Sequence, residues 1–350
     1  MSERVVYMDY NATTPLHPEV KKTLVEAFEI YGNASSMHGS GRYAGEKIAE
    51  ARETMARFIG ARPEEIIFTG GGSESNNTVL NMMDCGSGMC SCCSQGRRGI
   101  VTTAIEHPSI MNTAEFLRHK GTPVTFVSVD AAGKVNMEEL EAAVSGETAL
   151  VSVMMGNNEI GTLQDIKAIT RLAHERGALM HTDAVQTLGK VPVDVRDLGV
   201  DFLSFSAHKL YGPKGVGILY VRKGAPFCTF IHGGHQEDGR RAGTYNTLGI
   251  IGLGRAVELA AREMEDEVAK LWALRERLRT GLLAAVPDIH VNGHPVDTLP
   301  GTLNVSFRGA EGEAILLYLD MSGIQVSTGS ACASGSLEPS PVLLATGVGS

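Results

Sequence analysis

Apolar residues recur every three to four positions after Pro18, at Val20, Leu24, Ala27 and Tyr31. They do so again at Ala44, Ile48, Ala51, Met55 and Phe58. This spacing predicts two amphipathic helices near the start of the chain. The short apolar run Glu65-Ile66-Ile67-Phe68-Thr69 predicts a strand that enters Gly70-Gly71-Gly72 and then a helix start. From there the pattern alternates. Strands are predicted over 100–105, 124–129, 149–154, 178–181, 201–205 and 216–221, and helices over 109–120, 137–144 and 164–176. Such alternation implies βα units and a mostly parallel sheet, so the fold class is α/β.

The pattern over 249–286 is of another kind. Leu253, Val257, Ala260, Met264, Val268, Leu271, Arg275, Leu278 and Leu282 share one helical face, with Arg275 as its polar intruder. A helix of that length commonly bridges two domains. A strand over 302–307, a helix over 311–319 and a short strand over 324–326 follow. The expected division is a large domain over 15–250 and a smaller α+β domain from 1–14 and 251–350, in keeping with a length of 350 residues.

Composition narrows the partners. The chain is 43% hydrophobic and 20% charged, with a net charge of -9 and no long basic run. That argues against nucleic acid or an anionic membrane as the main partner. No apolar run approaches the roughly 20 residues of a membrane helix. The first residues have no apolar signal segment behind them, so a cytoplasmic location is expected. In that setting the six cysteines are expected to be reduced. Four of them, Cys85, Cys90, Cys92 and Cys93, fall in a Cys-, Gly- and Ser-rich stretch that reads as an irregular loop.

Three places carry chemistry. The turn at 70–72, followed by Ser73, leaves bare backbone that can approach an anion at a helix start, although such turns also merely connect. Asp183 follows a strand, where an Asp is ordinarily a helix cap. Lys209 ends another strand, where a Lys is ordinarily solvated. Together, a lysine for a Schiff base, an acid for a pyridine nitrogen and donors for a phosphate are what pyridoxal 5'-phosphate (PLP) requires. An open α/β sheet gathers such groups at the C-terminal ends of its strands.

The chain resembles the class V aminotransferase family, of PLP fold type I, and within it the cysteine desulfurases of the NifS/IscS type. The resemblance spans nearly the whole chain. It is carried by 7–15, 33–38, 69–77, Glu106-His107-Pro108, Asn157-Asn158-Glu159-Ile160-Gly161, Asp183-Ala184-Val185-Gln186, Ser206-Ala207-His208-Lys209, Arg241-Ala242-Gly243-Thr244 and Ser327-Thr328-Gly329-Ser330-Ala331-Cys332. It implies a homodimeric enzyme that converts L-cysteine to L-alanine and leaves a persulfide on Cys332. The sulfur would pass to an IscU/NifU-type scaffold protein for iron–sulfur cluster assembly. Lys209 would form the Schiff base and move the α-proton, Asp183 would face the pyridine nitrogen, and Gln186 the phenolic oxygen. His107 would stack on the ring and move protons. Gly72, Ser73, Ser206 and His208 would hold the phosphate, Thr244 would reach it from the partner subunit, and Asn158 would lie near the substrate amine or the ring oxygen. The small, polar neighbours of Cys332 predict an exposed loop, which suits a travelling nucleophile.

Two departures from the family pattern stand out. No residue matches the tail arginine thought to bind the substrate carboxylate, so weak cysteine binding is expected of these 350 residues. The cluster of Cys85, Cys90, Cys92 and Cys93 replaces a short variable loop. It reads either as a zinc or iron–sulfur ligand set or as a tolerated surface loop. The rival functions are a selenocysteine lyase or another class V enzyme such as an aminotransferase, the last of which would not need Cys332, and a sulfur- or metal-binding assembly partner.

Overall fold

The computed structural model of the protein describes residues 5–84, 97–328 and 339–348. The N-terminal strand β1 (Val6–Tyr7) precedes helix α1 (Pro18–Ala27), which starts on a proline with His17 capping the amide of Glu19. Proline suits that position because its missing N–H would have no intrahelical partner. The helix ends before Tyr31, which is exposed instead of continuing the apolar face. Helix α2 (Gly39–Phe58) buries the predicted stripe of Ala44, Ile48, Ala51 and Met55.

The main sheet contains β2 (Ile66–Thr69), β3 (Gly99–Thr103), β4 (Val124–Val127), β5 (Thr148–Ser152), β6 (Leu179–Asp183), β7 (Phe202–Ser206) and β8 (Gly217–Val221), in the order β2-β8-β7-β6-β5-β3-β4. Helices α3 (Gly72–Asn81), α4 (Pro108–His119), α5 (Met137–Ala143), α6 (Ile166–Glu175) and the one-turn α7 (Val195–Leu198) lie between the strands in sequence. Pairing is parallel from β4 through β7, while β8 runs antiparallel to both β7 and β2. The reversal follows from chain length. Only ten residues join β7 to β8, too few for the helical crossover that a parallel pair needs.

Alternate residues of the strands serve two cores. Phe68, Val151, Phe205 and Ile218 pack on the α2 side with Met55 and Leu253. Ile67, Leu150, Phe202 and Leu219 pack on the other side with Leu80 and Leu117. Burial on both faces is what continuous Val/Ile/Leu strands require.

Helix α8 (Thr247–Ala285) runs unbroken through the expected domain boundary at 250. Its first part is buried from Gly249 to Leu259. Beyond that, the one buried residue is Arg275, the polar intruder of the predicted face. Arg275 is accommodated because its Nε donates to the Thr302 carbonyl at 2.7 Å and its guanidinium lies over Trp272. After α8 come β9 (Ile289–Asn292), β10 (Asn304–Phe307), α9 (Gly312–Met321), β11 (Ile324–Gln325) and α10 (Pro341–Ala345). β9 and β10 form an antiparallel pair, and β11 pairs in parallel with β1. Strands β1 and β9 and helices α7 and α10 were not anticipated from the apolar pattern, being too short to show a period.

The expectation of reduced cysteines needs a correction. Cys228 is disulfide-bonded. The expectation rested on the redox setting of the chain, whereas pairing is decided by which thiols the fold brings together. The cluster cysteines Cys85, Cys90, Cys92 and Cys93, and Cys332, lie outside the described residues. Among the described residues, no group of three or more His, Cys, Asp or Glu could hold a metal ion. Among them, too, no helix is long and apolar enough to cross a membrane.

Candidate active site

β2, β3, β5, β6 and β7 point the same way, so Thr69, Thr103, Ser152, Asp183 and Ser206 all end on one edge of the sheet. The segments that follow open onto a cavity of about 2350 Å³. Gly72, Ser73, His107, Asn158, Asp183, Gln186, Ser206, His208 and Lys209 all line it. Thr244 does not. It lines a separate pocket of about 140 Å³ beside Phe68, Gly70 and Arg241.

Lys209 closes a single 3-10 turn after β7 and is 9% exposed. Its Nζ donates to the carbonyls of Asn11, at short range, and Ala12, at 2.8 Å. Asp183 is the last residue of β6. Its Oδ1 accepts the Val185 amide at 2.9 Å, and its Oδ2 accepts Asn76 Nδ2 at 2.7 Å. The Asp therefore partly turns the chain, as a cap would, yet keeps its other oxygen directed to a buried network.

His107 is the N-cap of α4, with Nδ1 accepting the Ser109 amide at 3.1 Å and lying 2.8 Å from Ser109 Oγ. Burial holds its pKa below the usual histidine range, the Asp183 charge pulls the other way, and the Lys209 charge adds to the lowering. His208, 3.1 Å from Thr13 Oγ1, is pushed down to about 4 by burial and then by Lys209 and Lys214. Glu106, preceding His107, is fully enclosed and raised to about 8 by desolvation, against the hydrogen bonds from Thr103 and Met154. A buried carboxyl so raised is neutral at neutral pH and adds no charge to the site.

The glycine turn has the form of an anion cradle. Gly71 sits at φ +149°, a conformation L side chains rarely adopt. A Cβ on Gly72 would meet Val185 Cγ2 at 2.7 Å. Helix α3 thus presents its first amides at close range beside Ser73 and Ser206. Glu74, the next residue of the first turn, is held by a fork of hydrogen bonds from Arg241 at 2.8 and 3.0 Å. These residues fit the group that the sequence implies: an anion cradle, an acid at a neighbouring strand end and an enclosed lysine share one cavity.

Four residues in this arrangement had no role assigned from sequence: Asn11, Asn76, Ser109 and Lys190. Asn11 offers its carbonyl to both Lys209 and Gln186 Nε2, the latter at 2.8 Å. Lys190 donates to Gln186 Oε1 at 3.1 Å and is lowered to about 8, mainly by desolvation and then by the Lys209 charge. Asn76 and Lys190 carry a partial sequence signal. Asn76 lies one helical turn after Ser73, and Lys190 one turn after Gln186. Asn11 is 175 residues from Gln186, so no local pattern could link them.

The Aminotransferase class-V family profile matches residues 6–348. The chain is 47% identical to the cysteine desulfurase IscS of Dictyoglomus turgidum, covering 99% of this chain and 86% of that protein. It is 48% identical to the cysteine desulfurase IscS of Clostridium botulinum, over 98% of this chain and 86% of that one. Among solved structures, a NifS-like protein superposes with a TM-score of 0.91 at 40% identity, covering 99% of this chain and 90% of that chain. A NifS-like protein from Rickettsia africae gives 0.87 at 32% identity, over 99% and 91%. The chain belongs to the class V aminotransferase family.

Proposed function

We propose that this protein is a PLP-dependent cysteine desulfurase, which takes the sulfur of L-cysteine onto Cys332 and releases L-alanine. The observation that carries the reading is the single cavity holding Lys209, Asp183 and His107, with Ser327 and Thr328 on its wall. Ser327 and Thr328 lead towards Cys332 in sequence, and Pro339 and Ser340, which follow it, also line the cavity.

Lys209 would hold the cofactor covalently, Asp183 its ring nitrogen, Gln186 its phenolic oxygen and His107 its face. Gly72, Ser73, Ser206 and His208 would hold its phosphate. When bound, PLP draws electrons from the substrate α-carbon. Asp183 is held in place by donors from Asn76 and Val185. Lys209 Nζ would be the group that takes the α-proton and returns it. The Cys332 thiolate attacks the substrate sulfur. The carbon–sulfur bond would break, a sulfur–sulfur bond would form on Cys332, the proton that Cys332 gave up on ionising would end on the β-carbon, and the three-carbon product would leave as alanine. Atoms and electrons balance with no outside oxidant. Asn158, whose carbonyl accepts Asn11 Nδ2 at 3.1 Å, stands where the substrate amine would enter.

The proposal extends to a homodimer. Thr244 lies outside the Lys209 cavity of its own chain, in keeping with service to the partner's phosphate site. Delivery of sulfur to an IscU/NifU-type scaffold for iron–sulfur assembly belongs to the same reading.

The test is alanine release from L-cysteine by the purified, yellow protein, together with borohydride fixation and peptide mapping. Alanine should appear, Cys332→Ser should lose sulfide release while keeping its colour, and the fixed cofactor should map to Lys209. Cofactor on Lys214, or undiminished alanine release from Cys332→Ser, would sink the reading.

A further inference from the structure

Beyond its bond to Asp183, Asn76 has no part in the steps above, yet through Ser109 it links that carboxylate to His107. It lies on α3, 1% exposed. Its Nδ2 donates to Asp183 Oδ2 at 2.7 Å and to Ser109 Oγ at 2.8 Å. Its Oδ1 is buried with no hydrogen-bond partner among the described residues. The direction of this amide follows from chemistry. An ionised carboxylate only accepts, so the nitrogen must face Asp183, and the reversed amide would set oxygen against oxygen.

The consequence runs onward. The amide nitrogen has two hydrogens, and the second goes to Ser109 Oγ. That hydroxyl is then left to donate its own proton to His107 Nδ1, 2.8 Å away. The Ser109 backbone N–H points at the same Nδ1 from 3.1 Å. A ring nitrogen that accepts twice carries no proton, so the neutral imidazole holds its hydrogen on Nε2.

We propose that Asn76 is a positioning residue that carries the ionised state of Asp183 through Ser109 into a fixed tautomer of His107, with Nε2–H as its donor. Protonating Nδ1 would set an N–H against the Ser109 N–H. Among the described residues, the charges of Asp183 and Lys209 act on the ring, His208 is close enough to feel it, and the Glu106 carboxyl turns towards Thr103 and Met154. The network therefore makes His107 a hydrogen-bond donor at rest, not a resting base. The part of this inference that concerns the cofactor rests on the function proposed above, whereas the tautomer does not.

The experiment is a nitrogen-15 histidine spectrum of the full-length chain, with and without PLP, with His107 assigned by the signals lost in His107→Asn. The wild type should show an unprotonated Nδ1 and a protonated Nε2. In Asn76→Asp the new carboxylate takes the Ser109 hydroxyl proton. His107 should then charge at a higher pH than in the wild type, and PLP should bind about ten- to a hundredfold more weakly.

Asn76→Leu keeps the volume but deprives Asp183 of a donor. It should weaken PLP to a similar extent and, because Ser109 Oγ also loses the donor that turns its hydroxyl towards Nδ1, raise the His107 titration. Ser109→Ala breaks only the other arm. It should raise the His107 titration while leaving PLP affinity within about threefold. Should Asn76→Asp fail to fold, the last two variants together distinguish the arms.

A wild-type ring protonated on Nδ1 would overturn the proposal. So would His107 signals unmoved by Ser109→Ala, or PLP affinity unmoved by Asn76→Leu. Absent alanine release with the expected tautomer would instead sink only the desulfurase reading.

Discussion

Strand β7 and helix α9 are both rich in apolar residues, and the fold treats them in opposite ways. All five residues of β7 are buried between two layers of helices. None of the residues of α9 is buried, although it carries the apolar run Ala-Ile-Leu-Leu-Tyr-Leu. Leu317 is 60% and Met321 82% exposed. The difference teaches that composition marks a segment as able to be buried, while burial itself depends on what lies opposite. It also separates two duties in the site. The groups with the strictest positions, Asp183, Ser206 and Lys209, hang from the doubly covered sheet, where each neighbour is fixed by close packing. The opposite wall of the same cavity is made by Leu271, Leu278 and Leu316, from elements with little cover.

Removing the anchor lysine should have the largest effect. Lys209→Ala should lose both the visible absorbance band and alanine release to background, with the far-ultraviolet spectrum unchanged. Retained turnover would move the chemistry off the sheet edge and break the comparison.

Next in size is a cut into the sheet core. Phe205→Ala removes a fully enclosed ring and should lower the unfolding free energy by about 3–5 kcal/mol in a urea titration. A cost below about 1 kcal/mol would mean that the sheet is no more tightly held than α9.

The third prediction concerns Glu106, whose carboxyl is raised from 4.5 to about 8 by burial. The folded state holds its proton more tightly than the unfolded chain does. Its contribution to stability is therefore fully present below about 4.5 and is lost as pH rises through about 8. Glu106→Gln mimics the protonated acid and should remove that slope, which is at most about 1.4 kcal/mol per pH unit. Melting curves at several pH values check it. A variant whose loss of stability with pH equals that of the wild type would show that Glu106 is already ionised when folded.

The smallest effect belongs to the exposed helix. Leu317→Ala should change stability by no more than about 0.5 kcal/mol. A larger loss would show that this face of α9 is covered in the assembled protein, and so would sharpen the contrast by restricting it to the single chain.

Much of this was legible in the chain, for a physical reason. Helices and strands with a clear apolar period, such as α2 and the buried strands, reveal themselves because burial acts on one face at a fixed spacing. The site lysine, acid and glycine turn were legible because they sit at strand ends, which the same periodicity locates. Short elements without a period, such as β1 and β9, were not. Nor was the reversal of β8, which depends on the short path from Ser206 to Gly217 and not on any apolar pattern.

By itself, then, the sequence determined the α/β class, the order of elements and the placing of Asp183 and Lys209 at strand ends, since these depend on local period, while His107 entered through the family resemblance. Only the tertiary structure decided what lies beside them. Asn11 crosses from the N-terminus to meet Lys209 and Gln186, Arg275 turns a break in an apolar face into a hydrogen bond to Thr302, and Asn76 joins Asp183 to Ser109. Each of these is a hydrogen bond between distant segments. Its donor and acceptor meet only after the sheet has set the strand ends a few ångströms apart, and no pattern along the chain encodes that distance.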